Sequence, residues 1–383
     1  MVADPVASDE RMHHPVGIRR LWPRIRYVVG VGIIAAAFWV LTSHTDELSG
    51  LSTVLSHLAW YWVAVAVILE ALSFTCFAQM QRELLKCGGL QTRLGRVLKV
   101  TFAAQALANS LPGGVAISAV YGFRWFRRFG ASSVLAAWSA AGTIIAAAVS
   151  LSLIAAAGLA LAASEGASLD LIPAIVGTLL VTIAVGALFV HEQPLFRVVS
   201  ATLRASHSII GRPKGDTSAQ IDRVMRSITA VRLGWRQLIR IVLWGTSNWL
   251  LDCGCFAVMF LAIHSQIPWK GLLLAYGAGQ LAAALPITPG GLGAVEGSIT
   301  IALVEFGGAQ TPTVDAVLLY RLVSFWLVLV VGWSLCGELA LEVRRGRWNR
   351  QALAAPIEAG LEREPAAGAS PVSTSDTSKV ARS

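Results

Sequence analysis

The stretch Leu285-Pro286-Ile287-Thr288-Pro289-Gly290-Gly291-Leu292-Gly293-Ala294-Val295-Glu296-Gly297 holds two prolines and four glycines in thirteen residues. No continuous α-helix survives that content, because proline removes a ladder donor and glycine weakens the helix wherever it sits. Yet apolar sequence leads in from Gly271 to Ala284 and leads out from Ser298 to Val304. Irregular backbone at membrane depth persists only where protein or a water-filled cavity satisfies its polar groups. The segment therefore predicts a broken helix beside a path through a membrane protein. A shorter relative, Leu107-Ala108-Asn109-Ser110-Leu111-Pro112-Gly113-Gly114, stands in the first half of the chain.

Composition agrees. The chain is 55% hydrophobic and 14% charged, whereas soluble domains carry about 25% charged residues. A net charge of +9 would suit nucleic acid, but the basic residues lie in loops between apolar spans, which excludes that partner. Cys76, Cys253, Cys255 and Cys336 fall inside apolar segments without the spacing of a zinc or redox pair. They read as small buried hydrophobes.

Hydropathy predicts full spans near residues 25–43, 58–80, 134–162, 171–190, 241–263 and 314–340, each about long enough for a ~30 Å hydrocarbon core. The first follows Arg19, Arg20, Arg24 and Arg26. It is long for a signal peptide and has no small-x-small cleavage site, so it reads as an uncleaved anchor. Residues 1–18 and 346–383 read as disordered tails around a membrane domain at 19–345.

Lys and Arg then orient the spans. Of the 31 in the chain, 29 fall in five places: the N-terminal segment, the loops at 81–99, 121–133 and 191–240, and the tail after 341. The exceptions are Lys270 and Arg321. Both termini and the long 191–240 loop are therefore expected in the cytoplasm, with residues 218–243 as a basic amphipathic helix on the membrane surface.

Two apolar segments, 97–120 and 271–305, carry the breaks. The first has basic loops on both sides, so it should enter from the cytoplasm and return there. The second should enter and return from outside. About 24 residues cannot cross a ~30 Å core twice at 1.5 Å per residue. The first is thus expected to be re-entrant; the second, at about 35 residues by the same arithmetic, could run deeper or cross as a tight helix pair. The expected fold is all-α and polytopic, with about six full spans and two re-entrant or broken hairpins. Leu107-Ala108-x-x-Leu111-Pro112 echoes Leu281-Ala282-x-x-Leu285-Pro286, with Gly-Gly close behind in both. Each half holds an odd number of spans, so the echo raises an inverted repeat, a common transporter plan.

Candidate functional residues follow from this layout. Each Pro-Gly-Gly break opens a half-helix whose N-terminal N–H groups can receive an anion such as a lipid phosphate. That singles out Asn109, Pro112, Gly113 and Gly114 in the first break and Pro286, Pro289, Gly290, Gly291 and Gly293 in the second; close-packed structural turns are the plainer reading. Glu70, Asp252, Glu296 and Arg321 lie inside spans, where an ionisable group costs at least ~2.5–3.5 kcal/mol and faces a partner or cavity. Arg321 should pair with Glu296 or Asp252, as a structural ion pair or as an anion-binding group. Gln105, Asn248 and Gln280 offer polar lining or interhelical hydrogen bonds. In Arg124-Trp125-Phe126-Arg127-Arg128-Phe129 the rings are expected at headgroup level, with Arg124 best placed to meet a headgroup. No catalytic or metal motif is visible, so a non-enzymatic protein without cofactors is expected.

The motif at Leu285-Pro286-x-Thr288-Pro289-Gly290-Gly291-x-Gly293-x-x-Glu296-Gly297 resembles the lysylphosphatidylglycerol synthase transmembrane family, which includes the flippase domain of bacterial multiple peptide resistance factors. Asn109-Ser110-Leu111-Pro112-Gly113-Gly114 with its Arg-rich return is similar too, and the resemblance covers roughly residues 20 to 345. It implies a bacterial plasma-membrane protein that moves modified phospholipid or a lipid-linked substrate between leaflets. Two departures stand out. Ala116, Ile117 and Ser118 occupy the stretch where many members carry a Gly-Glu pair and an Arg, and the soluble synthase domain of two-function members is not expected here. A rival expectation is a non-transporting partner of an envelope synthase or glycosyltransferase, docked through the basic loop and tail.

Overall fold

The computed structural model describes residues 58–111, 113–164, 234–284 and 288–345, and these are helical, without a strand among them. The expected spans at 25–43 and 171–190, both tails, most of the 191–240 loop, Pro112 and Pro286 lie outside the described residues.

In chain order the helices are α1 (Trp60–Cys87), α2 (Leu94–Ser110), α3 (Gly114–Arg128), α4 (Ser133–Ser164), α5 (Trp235–Ala262), α6 (Trp269–Ala284), a 3-10 turn (Pro289–Gly291), α7 (Ala294–Glu305), α8 (Gln310–Arg321), a π-helical segment (Leu322–Leu327) and α9 (Val328–Arg344). Helices α1, α4 and α5 are long and apolar enough to cross a membrane, as is the continuous rod from α8 to α9. Large apolar side chains on them, including Ile68, Leu72, Leu243, Leu250 and Val330, face outward. In water that surface would be a liability; against lipid tails it is the expected exterior.

The spine is the antiparallel pair α1 and α5. Ala59 N donates to the Ala262 carbonyl at 2.9 Å at one end, and Arg240 stands 3.8 Å from Glu83 near the other. Midway, Ser73 Oγ donates to the Asn248 carbonyl at 3.0 Å, and the Asn248 amide nitrogen donates back to the Ser73 carbonyl at 3.0 Å. These two residues are 175 positions apart, nearly the interval between the two Leu-Pro motifs.

Neighbouring pairs repeat when the halves are exchanged. Helix α2 packs on α9 as α6 packs on α4, α3 packs on α4 as α7 packs on α8, and α1 touches α4 as α5 touches α8. With α1 and α5 antiparallel at the centre, the two halves are inverted relative to one another.

The hairpins differ from expectation in length. The first runs from Leu94 to Arg128, because its helices continue beyond the apolar stretch at 97–120. Arms of 17, 15, 16 and 12 residues for α2, α3, α6 and α7 correspond to about 18–26 Å at 1.5 Å per residue, short of a ~30 Å core. Helix α5 likewise starts at Trp235, taking residues 235–243 from the expected surface helix into the span. The reading of Trp125 and Phe126 as headgroup-level rings is corrected. Both are only 2% exposed: Phe126 packs with Phe123, Val134 and Trp138, and Trp125 with Val100, Ala103 and Leu339. The α3 helix turns these rings into protein, and Arg124, Arg127 and Arg128 beside them are half-buried.

Candidate functional site

The hairpins enter from opposite ends of the spine and meet at their tips. Gly113 closes the first tip in the left-handed conformation at φ +66°, and Gly290 closes the second at φ +62°. Gly290 is also crowded. A Cβ there would collide with the Phe325 ring and stand 3.1 Å from the backbone carbonyl of Asn109. The end of α2 therefore lies against the Pro-Gly-Gly turn of the second hairpin. Gly114 packs on the Ala108 carbonyl across the first hairpin, and Gly291 on Ala283 and Val295 across the second. Asn109 accepts from Gln105 Nε2 at 3.1 Å through its side-chain oxygen. Next to it, Ser110 Oγ accepts from Trp333 Nε1 at 3.0 Å, which fastens the first tip to α9.

Arg321, at the end of α8, latches the second tip. Its Nε donates to Glu296 Oε1 at 2.6 Å and its Nη2 donates to the Gly290 carbonyl at 2.9 Å. The other Glu296 oxygen accepts from Gly293 N at 2.7 Å, which caps the start of α7. Thr288 Oγ1 donates to the Leu292 carbonyl at 2.9 Å and closes the loop on itself. Beneath the guanidinium lies the Phe325 ring, 4.5 Å from Cζ to its centroid, a cation–π contact. Arg321 is 9% exposed, so its charge rests on these partners. Of the two partners expected for it, the hydrogen-bonded one is Glu296.

Phe325 belongs to the π-helical segment that starts right after Arg321. Such segments are uncommon and recur at functional sites; here the segment carries the Phe325 ring that lies under Arg321 and against Gly290.

Asp252 gathers a second cluster. Tyr276 Oη donates to its Oδ2 at 2.6 Å, Tyr320 Oη to its Oδ1 at 3.0 Å, and Gln280 Nε2 to Oδ2 at 3.3 Å. Sequence reasoning named Asp252 and Gln280 but missed Tyr276 and Tyr320. Tyr320 had one available signal, its place beside Arg321 in an apolar helix. Glu70, carried opposite Asp252 by the α1–α5 register, lies within hydrogen-bonding reach of it.

Arg124 is not part of this assembly. It lies ten residues beyond Gly114 on α3, about 15 Å along the helix from the first tip, half-buried and close to Arg128. Arg127 Nη1 donates to the Ala131 carbonyl at 2.6 Å, and Arg128 sits over the Trp125 ring. Among the described residues no group of His, Cys, Asp and Glu has the arrangement of a metal site.

An all-helical membrane protein with inverted halves and two broken hairpins that meet at their tips is the class that this architecture defines. Residues 27–332 match the family described as the lysylphosphatidylglycerol synthase TM region, and the chain belongs to that family. A UPF0104 membrane protein of Methanothermobacter thermautotrophicus is 30% identical over 101 residues, which is 25% of this chain and 30% of that protein. The chain thus spans under a third of the length of the curated relative it matches.

Proposed function

We propose that this protein moves an anionic phospholipid or lipid-linked substrate between the leaflets of a bacterial plasma membrane, acting as a transporter rather than an enzyme, with both termini cytoplasmic. The observation that carries the reading is the meeting of the two broken hairpins at Asn109 and Gly290, with Arg321 latching the joint. Hairpins that stop at mid-depth have value to a transporter, because a small separation of their tips opens a route between the two sides.

The latch suggests how a headgroup would act on it. One phosphate oxygen could replace the single Glu296 oxygen that Arg321 Nε now holds, and a second could bond the guanidinium beside it. Exchange of Glu296 for phosphate would weaken the hold on α7 and, through the Gly290 carbonyl, on the tip. The turn that keeps the route closed would then respond to the substrate itself.

The test is reconstitution of the purified protein into liposomes with labelled aminoacyl, glycosyl and polyprenyl lipids. Movement of at least one class above protein-free vesicles is expected. If none moves, and the protein instead co-purifies with an envelope synthase whose activity it alters, the transport reading falls and a partner role replaces it.

A further inference from the structure

Glu70 and Asp252 are 6% and 8% exposed, at mid-length of the two central antiparallel helices. Their carboxyl groups face one another within hydrogen-bonding reach, and Glu70 Oε2 has no donor among the described residues. The available donors all go to Asp252: Tyr276, Tyr320 and Gln280. Two carboxylates side by side in a low-dielectric interior cannot both hold their charge. A proton on Glu70 satisfies the geometry at once, since it gives Glu70 a donor toward Asp252 and reduces the pair to one negative charge.

The other titratable groups near the pair are few. Cys253 and Cys255 lie beside it on α5, Tyr276 on α6, and Tyr320 and Arg321 on α8. Helix α4 contains no charged residue. The basic residues of α2, Arg96 and Lys99, lie beyond the Phe74–Phe102 stack, and Lys99 is 2.5 Å from Glu338. Arg321 is bonded to Glu296 rather than to either carboxylate of the pair.

The pair is connected to the second hairpin through both arms. Tyr276 and Gln280 are on α6, and Tyr320 immediately precedes Arg321, which holds Glu296 on α7 and the Gly290 carbonyl. Loss of the Glu70 proton removes the donor that Glu70 offers Asp252 and sets a second negative charge beside it, which changes how strongly Asp252 holds its three donors, two of them on a hairpin arm.

We infer that Glu70 and Asp252 form a proton-binding site, one proton shared between two carboxyls, whose loading and release shift the hairpin that ends at Gly290. This extends the transport reading by supplying a proton-linked step, but the site can be tested without any lipid movement.

Infrared difference spectra of the full-length protein in lipid vesicles, recorded across a pH titration, should contain the carbonyl stretch of a protonated, buried carboxylic acid. Glu70→Gln should abolish that band, because Asp252 alone keeps its three donors and stays ionised. In a background without native cysteines, the labelling rate of Thr288→Cys should change severalfold over the pH range in which the band disappears, and Glu70→Gln should make it independent of pH. Size-exclusion and thermal profiles matching the parent keep Glu70→Gln interpretable, and Glu70→Asp should retain the band. Absence of the band from the parent at every pH, or its persistence in Glu70→Gln, overturns the inference. So does its displacement by sodium at constant pH, which would make the site a cation site. Protein that moves no lipid yet gives these spectra keeps the proton site and loses the transport reading.

Discussion

Arg321 Nε lies 2.6 Å from Glu296 Oε1, joining the end of α8 to the first turn of α7 across the tip of a broken hairpin. The same guanidinium holds the Gly290 carbonyl. One side chain thus fixes the cap of a half-helix, the turn before it and the π-helical segment that follows Arg321. A purely structural ion pair would need only the carboxylate. The added bond to the tip carbonyl is what makes this pair a latch.

Arg321→Ala and Glu296→Gln should each abolish lipid movement while the protein stays folded in the membrane. Removing one partner of a largely buried bond leaves the other short of partners, a cost of about 1–3 kcal/mol, so thermal unfolding in detergent should fall by a few degrees without loss of the folded peak. Arg321→Lys should also lose most activity, because a point charge cannot bond Glu296 and Gly290 in one plane. Equal lipid movement by these variants and the parent removes Arg321 and Glu296 from the mechanism.

Gly290→Ala should be more damaging than Gly89→Ala. Both glycines have positive φ, but only at Gly290 would the methyl meet a ring and a carbonyl. An alanine forced into the left-handed region costs more than ~1 kcal/mol, and the collision with Phe325 adds to it. Thermal scans of the two variants, with Phe325→Ala combined with Gly290→Ala, check this: the double variant should recover part of the loss.

Tyr276→Phe removes the shortest hydrogen bond to Asp252 and should destabilise the fold by about 1–3 kcal/mol. Tyr320→Phe should do the same and also disturb Arg321 next to it. A double-mutant cycle of Tyr276→Phe with Asp252→Asn, read by unfolding, should show coupling of the two effects; strict additivity would mean that the hydroxyl and carboxylate act independently.

The hairpin geometry predicts opposite accessibility. Reagent from the cytoplasmic side should reach Ser110→Cys, and reagent from outside should reach Thr288→Cys, in a background without native cysteines. Labelling of Ser110→Cys only from outside contradicts the re-entrant arrangement.

Much of this architecture was legible in the sequence, for a physical reason. Proline and glycine punctuate helices through backbone geometry, so Pro289, Gly290 and Gly293 announce a break wherever they stand. Basic residues obey the membrane's asymmetry, which left Arg321 conspicuous. Partners inside the bundle were harder to see. In a span the lipid-facing and protein-facing sides are both apolar, so no periodicity marks Tyr276 or Tyr320 as facing Asp252. The π-helical segment at Leu322–Leu327, which carries Phe325, has no proline or glycine to reveal it. The Trp125 and Phe126 rings misled because aromatic-arginine patterns at a headgroup belt and on a packed helix look alike.

The central claim is that lipid passes when the two tips part. A reversible disulfide between Asn109→Cys and Thr288→Cys, with the five native cysteines replaced, tests it most directly. Oxidised protein in liposomes should stop moving lipid, and reduction should restore the rate. Lipid movement that continues unchanged in fully cross-linked protein would contradict the account, since the tips would then have no need to separate.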